Sequence, residues 1–229
     1  MNLDDRNALE KQLVDPGFLA HILERHRQQA VSLLAEAAFE WARKGYPRWD
    51  DREGSCAVAL VGQLLDLLDR RRATALQPFV SLEAGVWSAE HLAGRADPSG
   101  VPRPDVVIWL GLEREARMNV ECKRLVASDA TPRMYVKEGM DRFWTGYYPV
   151  DSGVGTMVGF LLDREVTVAS LQISEAIRAF LGLAEPLREN GPIGPLDPGF
   201  RSDHSSGVSV LHLLLDMTER QPPNHLGAG

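Results

Sequence analysis

The chain has 229 residues, 44% of them hydrophobic, which suits one sizeable globular domain or at most two small ones. A net charge of −7 counts against tight, non-specific nucleic-acid binding by the whole surface, because phosphate contacts need Lys and Arg; a locally basic groove is still compatible with it. No apolar run is long enough to span a bilayer, and the N-terminus lacks a basic stretch followed by an apolar core, so a cytoplasmic protein without membrane contact is expected.

Residues 1–45 read as an N-terminal helical extension. The pattern predicts a short helix over 4–14, a break at Asp15-Pro16-Gly17, and a long helix over 18–44 with apolar residues at helical spacing up to Trp41. Glu36 and Glu40, one turn apart, read as solvated. Asp50 or Asp51 is placed to cap the next helix, 52–72, whose apolar stripe runs through Cys56, Leu60, Leu64 and Leu67. Glu53 begins that stripe. It is either a helix-dipole glutamate facing water or an acid aimed at a site on the sheet. Arg70-Arg71-Arg72 suits the negative end of the helix.

A strand is expected over 76–87, with Glu83 on a mostly apolar segment, then a polar loop over 88–102 made locally basic by His91, Arg95 and the following Arg103. Two strands follow, 106–112 and 118–125, then a loop over 127–133 and an amphipathic helix over 134–147. That helix turns Val136, Met140, Phe143 and Tyr147 to the sheet and sets Lys137 with Asp141, and Glu138 with Arg142, as i,i+4 pairs. A buried strand over 156–163 has Gly159 in its middle, where a close approach is expected. A helix over 167–183, a long Pro/Gly-rich loop over 185–207 and a last strand over 208–217 complete the domain, 46–217. In the loop, His204 and its neighbours are placed to approach a substrate; His212 reads as a packed histidine. The tail, 218–229, is expected to be flexible. Cys56 and Cys122 fall in apolar segments and are expected as buried thiols, and no Cys/His cluster has zinc spacing.

The stretch with the most chemistry is 103–126. Val106 to Leu110 is a continuous apolar run, as in a strand buried on both faces. Period two sets Glu121 and Lys123 on one side of the next strand and Cys122 on the other. With the turn centred at Glu113, Asp105 and Glu121 are equidistant from it, so an antiparallel pairing sets them opposite one another, roughly 5 Å apart. Two carboxylates and a lysine then share one patch. A structural ion pair is the plainer reading of such a patch.

Pro104-Asp105 followed by Glu121-Cys122-Lys123 resembles the P-D…E-x-K signature of the PD-(D/E)XK nuclease superfamily, the restriction endonuclease-like proteins. The resemblance covers about residues 50–165. It implies an α/β fold with an αβββαβ core, a mixed sheet flanked by helices. It also implies a metal-dependent nuclease acting on phosphodiester bonds of nucleic acid, DNA first, with restriction or anti-phage defence as the superfamily's association. By the same resemblance Asp105 and Glu121 hold Mg²⁺, with Mn²⁺ as a substitute, and Lys123 assists the attacking water or the transition state. Glu53 is the further acid from the helix before the sheet, and Arg103, Arg133 and Lys137 are candidates to touch substrate. A hard cation that keeps its waters needs only one or two carboxylates, which agrees with this donor set. A homodimer or a protein partner is compatible with cutting two strands. The alternative is a nuclease-fold subunit that binds or assembles without cutting.

Overall fold

In a computed structural model the described residues are 16–44, 53–71, 79–82, 103–110, 116–126, 130–150, 153–181 and 187–218. The first described element is helix α1 (Pro16–Lys44). Pro16 and Gly17, expected as part of a break, are the first described residues of this helix, and a proline's fixed φ and missing N–H suit the first turn of a helix. Ala30, Leu34, Ala37, Ala38 and Trp41 bury one face of α1, with Trp41 edge-on to Phe160 at 5.6 Å. Helix α2 (Glu53–Arg70) packs beside it through Cys56, Leu60, Leu64 and Leu67. Glu36 and Glu40 are not simply solvated: Glu36 pairs with Arg71, and Glu40 accepts from Arg70 at 2.6 Å and from Gln63 at 3.0 Å, which ties the two helices together.

Three strands follow: β1 (Phe79–Leu82), β2 (Val106–Leu110) and β3 (Ala116–Leu125). They pair antiparallel in that order. The β2–β3 register runs from Val106 opposite Val120 to Leu110 opposite Ala116, centred on Glu113 as the hydrophobic pattern requires. Helix α3 comes next and contains three segments: an α-turn (Ala130–Met134), a wider π-helical stretch (Tyr135–Met140) and a closing α-turn (Asp141–Trp144). It starts within the expected loop because Pro132 is accommodated in its first turn. Strand β4 (Val154–Leu161) runs parallel to β3 and is buried along almost its whole length. Helix α4 (Val166–Leu181) crosses back over the sheet.

The long loop expected over 185–207 is a β-hairpin instead, β5 (Arg188–Ile193) and β6 (Leu196–Asp203), turning through Gly194 at φ +57°. Proline misleads there because β5 is the outermost strand, where Pro192 lacks no needed donor. Strand β7 (Ser209–Asp216) closes the fold, parallel to β4 and antiparallel to β6. The described residues form an α/β fold with a seven-stranded mixed sheet in the order β1-β2-β3-β4-β7-β6-β5. One face packs on α1 and α2; the other, through Leu125, Met157, Leu161 and Leu214, packs on α3 and α4. Gly159 has the close approach expected of it, since a Cβ there would meet Leu214 at 2.8 Å and Leu125 at 2.9 Å. Among the described residues no helix is long and apolar enough to cross a membrane.

The expected helix over 4–14, the caps Asp50 and Asp51, Glu83, the loop with His91 and Arg95, and the tail from residue 219 all lie outside the described residues.

Candidate active site

The site forms where β2 stops and β3 continues, paired only with β4 on its other side. Val106 is the first residue of β2 in the ladder, opposite Val120. Beyond that point β3 turns the N–H groups of Cys122 and Arg124 to the side that β2 has vacated, since alternate residues direct their backbone groups to the same side. A buried strand must find acceptors for such donors. Two acids supply them. Asp105 Oδ2 accepts from Cys122 N–H at 2.7 Å, and Glu53 Oε2 accepts from Arg124 N–H at 3.2 Å. Thus Asp105, one residue before the ladder's end at Val106, is bonded to β3 at Cys122, next in sequence to Glu121, and Glu53 reaches β3 from the first turn of α2.

On the α3 face of the same strand, Glu121 is fully buried and Lys123 is 9% exposed. Lys123 Nζ lies 2.8 Å from Glu121 Oε1 and 2.8 Å from Glu53 Oε1. Burial alone would lower the pKa of this ammonium, but the charge and hydrogen bonds of Glu121 and Glu53 outweigh it, so the net shift is upward and Lys123 stays protonated. Asp105 moves to about 6, first because it is buried and then because the Glu121 carboxylate stands near it; the Cys122 N–H and Lys123 pull in the other direction.

Two residues join that sequence reasoning missed. Arg142 Nη1 donates to Glu121 Oε1 at 2.6 Å, and the Tyr148 hydroxyl donates to Glu121 Oε2 at 2.8 Å. Arg142 Nη1 and the Tyr148 oxygen are 2.7 Å apart, and the same oxygen is 3.1 Å from the carbonyl of Arg103. Strict helical spacing sets Arg142 beside Glu138 on the water side and Tyr147 inward. The π-helical stretch widens the turn before Arg142, and Gly146 at φ +73° turns the chain after it. Arg142 therefore points to the sheet, Tyr147 is 46% exposed, and Tyr148 is the buried ring. Gly139 makes the approach of α3 possible: a Cβ there would lie 2.5 Å from Met157 Cε and 3.5 Å from Lys123 Cγ.

The other expected site residues stand apart. Arg103, Arg133 and Lys137 are exposed, and among the described residues their side chains take no part in the cluster. Arg103 contributes only its carbonyl. His212 lies in the same cross-strand row as Glu121 and Met157 but is fully buried. Its ring is held by the Tyr135 hydroxyl at 3.0 Å and Ser202 Oγ at 2.8 Å. Burial lowers its pKa to about 3, so it is a neutral packed histidine, as the sequence suggested. The His204 ring lies against Trp144, with centroids 4.0 Å apart, and its Nε2 is 3.1 Å from Ser202 Oγ. Phe200 is core, and Arg201 pairs with Asp203 at 2.7 Å. Cys56 and Cys122 are both buried, and neither is in a disulfide.

Among the described residues no three His, Cys, Asp or Glu side chains form a ready ligand group for a metal. Asp105 and Glu121 nonetheless fit a hard divalent cation. They are hard oxygen donors, Asp105 just before β2 and Glu121 on β3, and burial followed by the nearby Glu121 carboxylate raises the pKa of Asp105. Comparison with protein-family models, with curated proteins and with solved structures found no match.

Proposed function

We propose that this protein is a metal-dependent nuclease that hydrolyses phosphodiester bonds, with DNA as the substrate, and that Asp105, Glu121, Lys123 and Glu53 form its active site. The observation that carries the reading is the meeting of Asp105 with β3 beside Glu121 and Lys123, at the point where β2 ends. The chain order α2, β1, β2, β3, α3, β4 agrees with the αβββαβ core of the restriction endonuclease-like fold that the sequence motif suggested. Motif and element order are separate levels of evidence and point the same way.

Asp105 and Glu121 are the residues that would hold Mg²⁺ or Mn²⁺. The bound ion lowers the pKa of a water and neutralises charge on the phosphoryl oxygens. Lys123, fixed between two carboxylates and kept protonated, acts as a charge donor rather than a proton acceptor. A fixed ammonium next to a developing negative charge stabilises the transition state without reorganising at the moment of reaction. Glu53 holds the Lys123 amine and the β3 backbone in place, so it positions rather than reacts.

A second reading is favoured by one specific observation. Both oxygens of Glu121 already have donors from within the chain. A nuclease-fold subunit that binds or assembles without cutting would keep such a closed acid. Calorimetric titration with Mn²⁺ separates the structural ion pair from both. The proposal requires binding that Asp105→Asn weakens at least tenfold; a folded wild type that binds no ion contradicts it.

A further inference from the structure

Glu121 has more positive charge around it than one carboxylate needs. Its Oε1 accepts from Lys123 and from Arg142, and its Oε2 accepts from Tyr148. Lys123 has a second acid, Glu53, while Arg142 is held only by Glu121 and the Tyr148 hydroxyl among its hydrogen-bonded side chains. Lys123 is also walled in, with its side chain 11% exposed; that of Arg142 is 37% exposed and lies at the solvent side of the cluster. Of the two cations, Arg142 is the one with a route out.

The charges around the site point the same way. Asp105, Glu121 and Glu53 against Lys123 and Arg142 leave one net negative charge. A divalent ion added to that set would overshoot to one net positive charge, and releasing Arg142 would bring it to zero. Unbalanced charge around the buried Glu121 is unfavourable even where its neighbours are only partly buried, so binding of the ion and release of the guanidinium favour one another.

We propose that Arg142 is an exchangeable internal counter-cation. It neutralises Glu121 while no divalent ion is bound, gives the carboxylate up to the ion, and presents its freed guanidinium to a phosphodiester oxygen of the substrate, whose negative charge balances it. This rests on the metal-dependent reading of the site. The π-helical stretch is then the device that brings Arg142 to the sheet, and Tyr148 is its rest. An arginine suits this because its planar fork stays charged and matches carboxylate and phosphate oxygens alike.

The test is Mn²⁺ affinity by calorimetry for wild type, Arg142→Gln and, as an exposed control on the same helix, Lys137→Gln. With the competing cation gone, Arg142→Gln binds Mn²⁺ more tightly, on the order of tenfold, the size of an ordinary coupling between two ligands, and Lys137→Gln is unchanged. In the wild type, the side-chain NMR signals of Arg142 move to solvent-like positions on adding Mg²⁺, which decides the matter even if the variant fails to fold. Unchanged or weaker binding by folded Arg142→Gln, or Arg142 signals that stay put while Mg²⁺ binds, overturns the exchange and leaves the metal reading standing. A folded wild type that binds no divalent ion overturns both.

Discussion

Asp105 accepts the backbone N–H of Cys122 at 2.7 Å, so a side chain does for β3 what the next carbonyl of β2 would have done. The arrangement has an electrostatic cost, because burial and Glu121 raise the Asp105 pKa from 3.8 to about 6. The folded state therefore binds this proton more tightly than the unfolded chain, and stability falls as pH rises from about 4 to about 6. Asp105→Asn keeps an acceptor for Cys122 and removes the charge. It is expected to stabilise the protein at pH 8 by on the order of 1–2 kcal/mol, with the gain fading towards pH 4. Thermal unfolding of both proteins across that range checks the sign.

On the proposed metal-dependent function, the same pKa sets the pH dependence of ion binding. Below about 6 a proton competes with the cation for Asp105; above it the carboxylate is free. Affinity for Mn²⁺ should rise with pH between 5 and 7 and level off beyond, each ion releasing protons in the lower range. The Asp105→Asn protein should lose most of that slope, a comparison that calorimetry in two buffers of different ionisation heat makes directly.

Glu121 is the buried acid on which two cations and a hydroxyl converge. Glu121→Gln leaves Arg142 without a counter-charge and Lys123 with Glu53 alone. Breaking a buried pair from one side costs about 3–5 kcal/mol. In a chain of this size that lowers the melting temperature by roughly 10 °C. A change within 2 °C would mean that the cluster is far wetter than its burial indicates.

Gly139 sets the distance between α3 and the sheet, with a Cβ there 2.5 Å from Met157 Cε. Gly139→Ala should destabilise by less than about 1 kcal/mol, because the clash is with the far end of a flexible side chain and alanine favours a helix. Because the obstacle is one flexible side chain, Met157→Ala should offset part of that loss, and the double variant should be more stable than the two single losses predict. Additive losses in denaturant melts would show that the contact does not govern the helix position.

How far the sequence could be read depended on whether local pattern and tertiary position agreed. The β2–β3 register was legible because apolar runs flank a turn at equal distances, and it led from Asp105 to the stretch of β3 whose Cys122 N–H that carboxylate accepts. Glu53 was legible from its place on the stripe of α2. Arg142 and Tyr148 were not, because the π-helical stretch breaks the 3.6-residue period on which facing is judged, and Tyr147 took the inward place on paper. The Gly139 that allows the close approach was a visible signal, but only the packing gives it meaning. The β5–β6 hairpin was hidden because its prolines and glycines are tolerated in an outermost hairpin. His212 shares the row of Glu121, yet only its buried partners separate a packed ring from a base.

The central claim is that Asp105, Glu121 and Lys123 cut nucleic acid with a divalent ion. Its most direct test is incubation of supercoiled and linear DNA with the pure protein and Mg²⁺ or Mn²⁺, beside Lys123→Met and Asp105→Asn shown by melting to be folded. Nicking or linearisation that EDTA stops, and that both variants lose by a hundredfold or more, is the predicted result. Cleavage that persists in Lys123→Met, or none by a folded wild type that binds Mn²⁺, would contradict it, and the latter would favour the silent binding subunit.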